Sequence, residues 1–277
     1  MLKPVLQFVD ATFPSLTDRM IARAFSRPRR KAMRQHQGEG PLRLVCAHDE
    51  NPSGCAVWAA GTGPTVLLVH GWESTHRDLD PIARLLLDNG FRVVALDLPA
   101  HGASPGSMAT IPELSRAVGR LIDWSRTSPI DAVIAHSLGG AASLRAISER
   151  KDQVPLALIA SPSRARDYLQ RMIAGFGLAP ERIDRILKHY WDAHGVDIEM
   201  IDAGLDGPQF RAPLLLLYGE NDRLVPPSEG KRYASIIKHA ELQLLPGLGH
   251  RSILIDRKVS SALLEFAKRA TAAAAVA

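Results

Sequence analysis

The sequence contains little cysteine. Cys46 and Cys55 are the only two in 277 residues, too few for the disulfide framework of a small secreted domain. They lie in neighbouring predicted strands without a matching set of metal ligands, so a structural metal site is not indicated. Free thiols are therefore expected, with one disulfide bridge between the two as the alternative.

Long apolar runs are also lacking. No stretch approaches the ~18 consecutive apolar residues of a transmembrane helix, and proline and aspartate interrupt residues 1–16, where a signal peptide needs an apolar block. We therefore expect no integral membrane association and a cytoplasmic location.

Positive charge is only slightly in excess. The net charge is +5, and the basic residues are scattered except in RPRRKAMR at 27–34, which is typical of a solvated face. No nucleic-acid partner is expected. Residues 1–40 are interpreted as an amphipathic helix or extension with a basic end, and action at a lipid surface through this segment is kept as an alternative.

The composition, with 46% hydrophobic and 23% charged residues, predicts a soluble globular core. Two short runs at 41–50 and 55–61 predict an antiparallel hairpin that turns at NPSG. Continuously apolar runs, typical of strands buried on both faces, then alternate with helical patterns. These runs are 65–69, 92–97, 131–135, 156–160, 213–219 and 241–245.

This alternation predicts an α/β fold. We expect a doubly wound, mostly parallel central sheet of about eight strands, with an N-terminal antiparallel hairpin and flanking helices. The core spans residues 41–161 and 211–270. Residues 162–210 lack a convincing strand and contain two amphipathic helical segments, at 165–177 and 181–195. We interpret this insertion as a small helical cap over the carboxyl ends of the strands.

Ser137 lies in the sequence VIAHSLGGAA, between a predicted buried strand and a predicted helix at 138–150. A tight strand-to-helix turn strains the serine backbone and presents its hydroxyl at the edge of the sheet. Small residues must flank such a turn, and Ala135 and Gly139 do. The helix start also directs backbone N–H groups, including that of Leu138, toward developing negative charge. The alternative is that Ser137 is an ordinary N-cap residue.

A serine hydroxyl needs a base to become a nucleophile. Asp222 follows one predicted buried strand, and His250 lies in a glycine-bordered loop after the next. In this order the histidine can carry the proton while the aspartate fixes its tautomer. The alternatives are an Asx-turn residue for Asp222 and a solvent-exposed loop residue for His250.

From about residue 42 to residue 270 the sequence resembles the α/β-hydrolase fold family. The signatures are LLVHGW at 67–72, LDLPAHGAS at 96–104, AHSLGG at 135–140, and GENDRLVP followed by GLGH. The resemblance implies a triad of Ser137, Asp222 and His250. It also implies an oxyanion hole formed by the backbone N–H groups of Trp72 and Leu138. Two small departures, Ala135 and Ala100 in place of the usual glycines, predict altered loop geometry with the chemistry kept.

Neither a metal nor a cofactor is expected, because the other histidines show no metal-ligand spacing. His70 is expected to shape the oxyanion loop through hydrogen bonds, and His136 to be packed or capping. Large side chains could line a substrate pocket, although such residues more often pack cap helices together. These candidate pocket residues are Trp72, Tyr168, Met172, Phe176, Tyr190 and Trp191.

The predicted function is hydrolysis of a small-molecule carboxylic ester through an acyl-enzyme on Ser137, by a monomer or homodimer. A serine disfavours dehalogenase and epoxide hydrolase chemistry, for which relatives use aspartate at this position. Thioester or lactone hydrolysis, acyl transfer and perhydrolysis stay open, since similar sites support them. A non-catalytic ligand-binding or interaction protein on the same fold is the alternative from another class.

Overall fold

Eight strands form one sheet in the computed structural model, which describes residues 10–30, 40–47, 50–124, 129–151 and 153–274. Along the sheet the order is β1-β2-β4-β3-β5-β6-β7-β8. The bounds are β1 Arg43–Cys46, β2 Val57–Ala60, β3 Thr65–Val69, β4 Arg92–Leu96, β5 Ala132–His136, β6 Leu156–Ile159, β7 Leu214–Gly219 and β8 Glu241–Leu245.

Only the first two strands run antiparallel to their neighbours, in the pairs β1–β2 and β2–β4. All pairs from β4 through β3 to β8 are parallel. Every residue of β3, β5, β6 and β7 is buried, because helices cover both faces of the sheet. The predicted α/β class, the mostly parallel sheet and the hairpin are confirmed.

The helices are α1 Pro14–Ala24, α2 Asp80–Asp88, α3 Ile111–Trp124, α4 Leu138–Ser148, α5 Ala165–Gly175, α6 Ile183–His194, α7 Ala203–Asp206, α8 Pro227–Ile236 and α9 Arg257–Ala274. One apolar layer joins α2 and α9 to one face of the sheet, where Leu86 and Phe266 are buried. On the opposite face a larger layer includes residues of α3, α4 and α8, among them Val118 and Tyr233.

Residues 162–210 form α5, α6 and α7, with 3₁₀ turns between them. An isolated β-bridge joins Arg164 to Asp202 and so closes the insertion near its base. The amphipathic segments predicted at 165–177 and 181–195 correspond to α5 and α6. Their apolar sides, with Leu169 and Ile186, are buried in the same layer as α3 and α4.

Helix α1 packs against α6 of this insertion. Ile21 and Phe25 are buried, and Asp18 accepts hydrogen bonds from Arg182 Nε at 2.8 Å and Arg185 Nε at 2.9 Å. The helix predicted over 1–40 is thus 11 residues long where it is described, and residues 1–9 and 31–39 lie outside the described residues.

The two cysteines are free and buried. Cys46 ends β1, whereas Cys55 precedes β2 rather than lying within it, which corrects the expectation that both are strand residues. Burial raises the pKa of the Cys55 thiol to about 11. In the described residues, no helix combines the length and the apolar character needed to cross a membrane.

Candidate active site

Ser137 occupies a single-residue turn between β5 and α4. Its backbone φ of 53° and ψ of −132° lie in a region that side-chain-bearing residues rarely adopt. Neighbouring segments leave no room for larger residues, since a Cβ on Gly139 would lie 2.1 Å from the carbonyl oxygen of His70. Ser137 holds the N-cap position of α4, yet its side chain makes no capping bond. The hydroxyl is therefore available for another partner.

That partner is His250, whose Nε2 lies 3.0 Å from Ser137 Oγ. On its other side, His250 Nδ1 lies 2.7 Å from Asp222 Oδ2. The two contacts fit the tautomer in which Nδ1–H donates to the carboxylate and Nε2 accepts the serine hydroxyl. The structure thus brings together three residues from loops that are separated by up to 113 positions.

Asp222 is held by the backbone that follows it. Its Oδ1 accepts the N–H groups of Leu224 and Val225, both at 2.8 Å, and its side chain is fully buried. The Asx-type turn considered as an alternative is therefore present. It uses one carboxylate oxygen and leaves the other free to orient His250.

His136 holds the loop that contains His250. Its Nε2 lies 3.0 Å from the carbonyl oxygen of His250, and the two rings are 4.8 Å apart. Burial and, to a lesser extent, the nearby His250 lower the pKa of His136 to about 3. The neutral ring can donate Nε2–H to the carbonyl and so fix the loop. The one sequence signal for this role is the position of His136 directly before Ser137.

The loop after β3 approaches Ser137 closely. A Cβ on Gly71 would lie 2.8 Å from Ser137 Cβ, so glycine permits this contact. His70 Nδ1 donates to Gly71 O at 2.8 Å, and its Nε2 accepts the N–H of Leu98 at 2.9 Å. His70 therefore shapes this loop as expected. Burial lowers its pKa, so the ring is neutral and can accept.

A second neutral histidine holds the far side of the same loop. His101 Nε2 accepts the backbone N–H of Glu73 at 3.0 Å, and its Nδ1 donates to Pro99 O at 2.8 Å. Burial lowers the pKa of His101 to about 3. Glu73 has a φ of 52°, so this bond stabilises a left-handed residue directly after Trp72.

Asp97 connects the loop to β4 and was not anticipated from the sequence. Its carboxylate accepts bonds from Trp58 Nε1 at 3.1 Å, His76 N at 2.9 Å and Ala103 N at 3.0 Å. The His76 ring also lies 3.0 Å from it. Burial alone would raise the pKa of Asp97, but hydrogen bonding and charge from His76 outweigh burial and lower it to about 2.

The two alanines that replace glycines fit their sites. Ala135 is fully buried within β5, opposite Leu158. Ala100 adopts φ 63°, the left-handed conformation that glycine adopts more readily. A backbone bond from Ala100 N to Pro105 O at 3.0 Å closes this loop.

A cavity of about 350 Å³ opens beside Ser137 and His250. Trp72 lines it, as do Tyr168 and Met172 from α5. A larger cavity of about 690 Å³ lies at the opposite end of the strands, against Pro155 and Pro213. The smaller cavity is the candidate active site, because Ser137 and His250 line it and do not line the larger one.

The other three candidate pocket residues do not line this cavity, which corrects the expectation. Tyr190 is fully buried and packs edge-on against His194. Trp191 is 54% exposed, and Phe176 packs on the main core. The reason is that α6 packs on α1 and α5, so its aromatic residues lie against those helices or solvent.

No group of three or more His, Cys, Asp or Glu side chains in the described residues could hold a metal ion.

Comparisons with known proteins identify the family and the fold. The model of the alpha/beta hydrolase family matches residues 66–263. Among similar sequences, a pimeloyl-(acyl-carrier protein) methyl ester esterase of Xanthomonas axonopodis is 27% identical over 247 residues, covering 74% of this chain and 96% of the relative. Lipase LipV of Mycobacterium tuberculosis is 31% identical over 157 residues, covering 52% of this chain and 58% of the relative.

Two solved structures illustrate the likeness of fold. Esterase Pf2001 of Pyrococcus furiosus superimposes with a TM-score of 0.66 at 22% identity and covers 89% of this chain and 97% of its own. A bromoperoxidase of Bacillus anthracis gives 0.60 at 19% identity, with coverage of 83% and 100%. At these identities the likeness concerns the fold.

Proposed function

Because this chain belongs to the alpha/beta hydrolase family, we propose that it is a carboxylic ester hydrolase acting through an acyl-enzyme on Ser137. The observation that carries the proposal is the continuous chain of hydrogen bonds from Ser137 Oγ through His250 to Asp222. A hydrogen-bond chain of this kind contributes little to the stability of a fold, but it activates a serine hydroxyl for attack on a carbonyl carbon.

In the proposed reaction, His250 Nε2 takes the hydroxyl proton as Ser137 Oγ attacks the ester carbonyl carbon. The resulting imidazolium is stabilised by Asp222, which stays ionised. His250 then gives the proton to the leaving alkoxide as the C–O bond breaks, which releases the alcohol and leaves the acyl group on Ser137. Water activated by the same histidine hydrolyses this acyl-enzyme and restores the serine.

Negative charge develops on the carbonyl oxygen during both steps. We assign its stabilisation to the backbone N–H groups of Leu138 and Trp72. Leu138 begins α4, where the first N–H groups have no acceptor within the helix. Trp72 follows Gly71, whose backbone contacts Ser137. Preorganised amides of this kind contribute about 3 kcal/mol each to the transition state.

The cavity suggests which esters fit. Part of its wall is apolar, formed by Trp72, Tyr168, Met172, Leu224 and Ile255, and this part favours an acyl chain, although Glu73, Asp78 and Arg251 also line the cavity. Among the relatives, one is named a pimeloyl-(acyl-carrier protein) methyl ester esterase and another a lipase, which supports an ester substrate. We therefore propose a small-molecule ester with an apolar acyl group as substrate, with residues 162–210 serving as its cap.

A non-catalytic binding protein is the alternative from another class. Such a protein has no need of a strained serine turn, which costs about 1–3 kcal/mol, or of a buried carboxylate aimed at His250. Thioester or lactone hydrolysis, acyl transfer, a cytoplasmic location and the monomer or homodimer state stay predictions.

A fluorophosphonate probe tests the nucleophile. The wild-type protein should be labelled, the Ser137→Ala variant should not, and Ser143→Ala should be labelled like the wild type. Ser143 is a matched control because it is a buried serine on the same helix, bonded to Gly139 O at 2.7 Å. Folded wild-type protein that resists the probe, or labelling that survives in Ser137→Ala, would contradict the proposal. Hydrolysis of p-nitrophenyl esters of increasing chain length then defines the acyl group.

A further inference from the structure

Helix α1 carries an apolar face that points away from the protein. Phe13, which directly precedes the helix, is 59% exposed, and Leu16 and Met20 are 49% and 48% exposed. Their spacing of three and four residues places them on one side of a helix. Contiguous exposed apolar side chains of this size are unusual on a soluble surface and mark a contact site.

The opposite face of α1 is fixed to the protein. Ile21 and Phe25 are buried, and Asp18 is bound by Arg182 and Arg185 of the insertion. Because this face is bound, α1 cannot rotate to bury Phe13, Leu16 and Met20. The outward face is therefore presented by a rigidly held helix.

Arginines alternate with these apolar residues. Arg19 and Arg23 lie on the exposed side of α1, and Arg27 follows one helical turn later. Within the residues that the structure describes, none of the three has an ion-pair partner. They line a groove of about 560 Å³ between α1 and α6, in which Asp192 is the one carboxylate. That carboxylate is already paired with Lys188 at 2.8 Å.

We propose that this outward face, formed by Phe13, Leu16, Met20, Arg19 and Arg23, docks the enzyme onto an anionic lipid bilayer. The apolar side chains would enter the interface while the guanidinium groups bind lipid phosphates. A nucleic acid offers no place for three apolar side chains. A second copy would bring like charges together, four arginines in all, if the same faces met.

The position of α1 gives the docking a consequence for access. Helix α1 packs on α6, and α6 packs on α5, which contributes Tyr168 and Met172 to the cavity at Ser137. Trp191, exposed on α6, is a residue type that favours the membrane–water interface. The side of the molecule that covers the cavity would therefore meet the lipid. This inference goes beyond ester hydrolysis and does not depend on it.

Sedimentation of the full chain with lipid vesicles tests the proposal without any measurement of activity. We expect binding to vesicles of phosphatidylcholine with phosphatidylglycerol, and weak binding to phosphatidylcholine alone. The triple variant Phe13→Ser/Leu16→Ser/Met20→Ser should lose binding. The pair Arg19→Gln/Arg23→Gln should weaken it about 25-fold, because each basic residue near an anionic surface contributes about fivefold.

Two controls separate this face from general effects. Arg84→Gln/Arg257→Gln removes two exposed arginines elsewhere and gives the same net charge, and Leu205→Ser removes an equally exposed leucine. Both should bind as the wild type does. An equal loss in the Arg84/Arg257 pair would overturn the proposal in favour of long-range charge. Absence of vesicle binding, with a dimer that dissociates in the triple variant, would show instead that this face joins two copies.

Discussion

The loops that carry Ser137, Asp222 and His250 are held differently from the insertion at residues 162–210, which contributes Tyr168 and Met172 to the cavity. Around the triad, the contacts are short, buried and mostly to backbone. His101 accepts an N–H from Glu73, His136 donates to the carbonyl of His250, and the Asp222 side chain is fully buried. Such groups cannot be repositioned without leaving a buried polar atom unpaired.

The insertion is held by arginine–carboxylate pairs that are partly exposed. Arg171 of α5 pairs with Glu229 at 2.6 Å and also donates to Leu224 O. Arg164 pairs with Asp202 at 2.9 Å. Exposed pairs contribute about 0–1 kcal/mol each, so the parts of the insertion that these pairs hold can shift at lower cost than its buried apolar side. The groups of the proposed triad are therefore fixed tightly, whereas the cavity wall formed by α5 is adjustable.

The largest expected effect lies in the tightly fixed region. Asp222→Asn keeps an oxygen for the N–H groups of Leu224 and Val225 but presents an NH₂ group to His250, which forces the wrong tautomer. We expect kcat to fall about 10⁴-fold with the fold unchanged. Asp256→Asn is the matched control, because Asp256 Oδ1 accepts N–H groups two and three residues later in the same way. A fall of less than tenfold would contradict the assigned role of Asp222.

A pair of glycines compares the two regions by stability. Gly139→Ala places a Cβ 2.1 Å from His70 O, and we expect the free energy of unfolding to fall by about 3 kcal/mol. Gly175→Ala, at the end of α5, meets nothing within 4 Å and should raise it by about 0.5 kcal/mol. Urea unfolding measures both. Equal changes in the free energy of unfolding at the two sites would contradict the difference between the two regions.

Acid should weaken the triad region through its buried neutral histidines. Burial lowers the pKa of His70, His101 and His136, the last two to about 3, whereas an unfolded histidine titrates near 6.5. From about pH 6.5 down to about 3 the unfolded chain therefore binds protons that the folded chain does not. The free energy of unfolding should fall in this window, by about 1.4 kcal/mol per pH unit for each histidine.

His101→Gln tests this dependence. Glutamine can still accept the N–H of Glu73 through its amide oxygen, but it does not titrate. Urea unfolding between pH 5.5 and 4.5 should show a slope that is smaller by about 1.4 kcal/mol per pH unit than in the wild type. An unchanged slope would mean that His101 binds a proton in the folded state in this range.

The smallest expected effect concerns the adjustable wall. Arg171→Gln removes the contacts that hold α5 to Glu229 and to the loop after Asp222. Tyr168 and Met172 lie on α5 and lose this support as well. We expect KM for the best ester to rise about fivefold with a small change in kcat, and a broader preference for chain length. Arg166→Gln on the same helix is the control, since Arg166 pairs with Asp184 and Glu199 inside the insertion. A fall in kcat alone would place Arg171 in the chemistry instead.

Much of the fold could be predicted from the sequence because strands buried on both faces appear as continuous apolar runs. Each of the six predicted runs corresponds to an observed strand within one residue at either end. The triad residues could be singled out because a strained serine turn, an acid and a histidine follow three such strands in a fixed order. Ser137, Asp222 and His250 meet because these strands are parallel and end at one edge.

The features that could not be predicted are those that depend on which neighbouring element a helix face packs against. The periodicity of α6 shows that Tyr190 lies on an apolar face, but not that this face packs toward α1 rather than toward Ser137. Likewise, Asp97, His101 and His136 act through backbone atoms of distant loops. A single sequence carries no local signal for such partners, because almost every residue has the same backbone N–H and C=O groups.

The bond between Asp18 and Arg182 joins positions that are 164 residues apart. At usual rates of synthesis, the ribosome needs about 8–33 s to make that length of chain. During this interval the emerging helix displays Ile21 and Phe25 without the surface that later covers them. The buried side of α1 can therefore be covered only after the insertion has been synthesised.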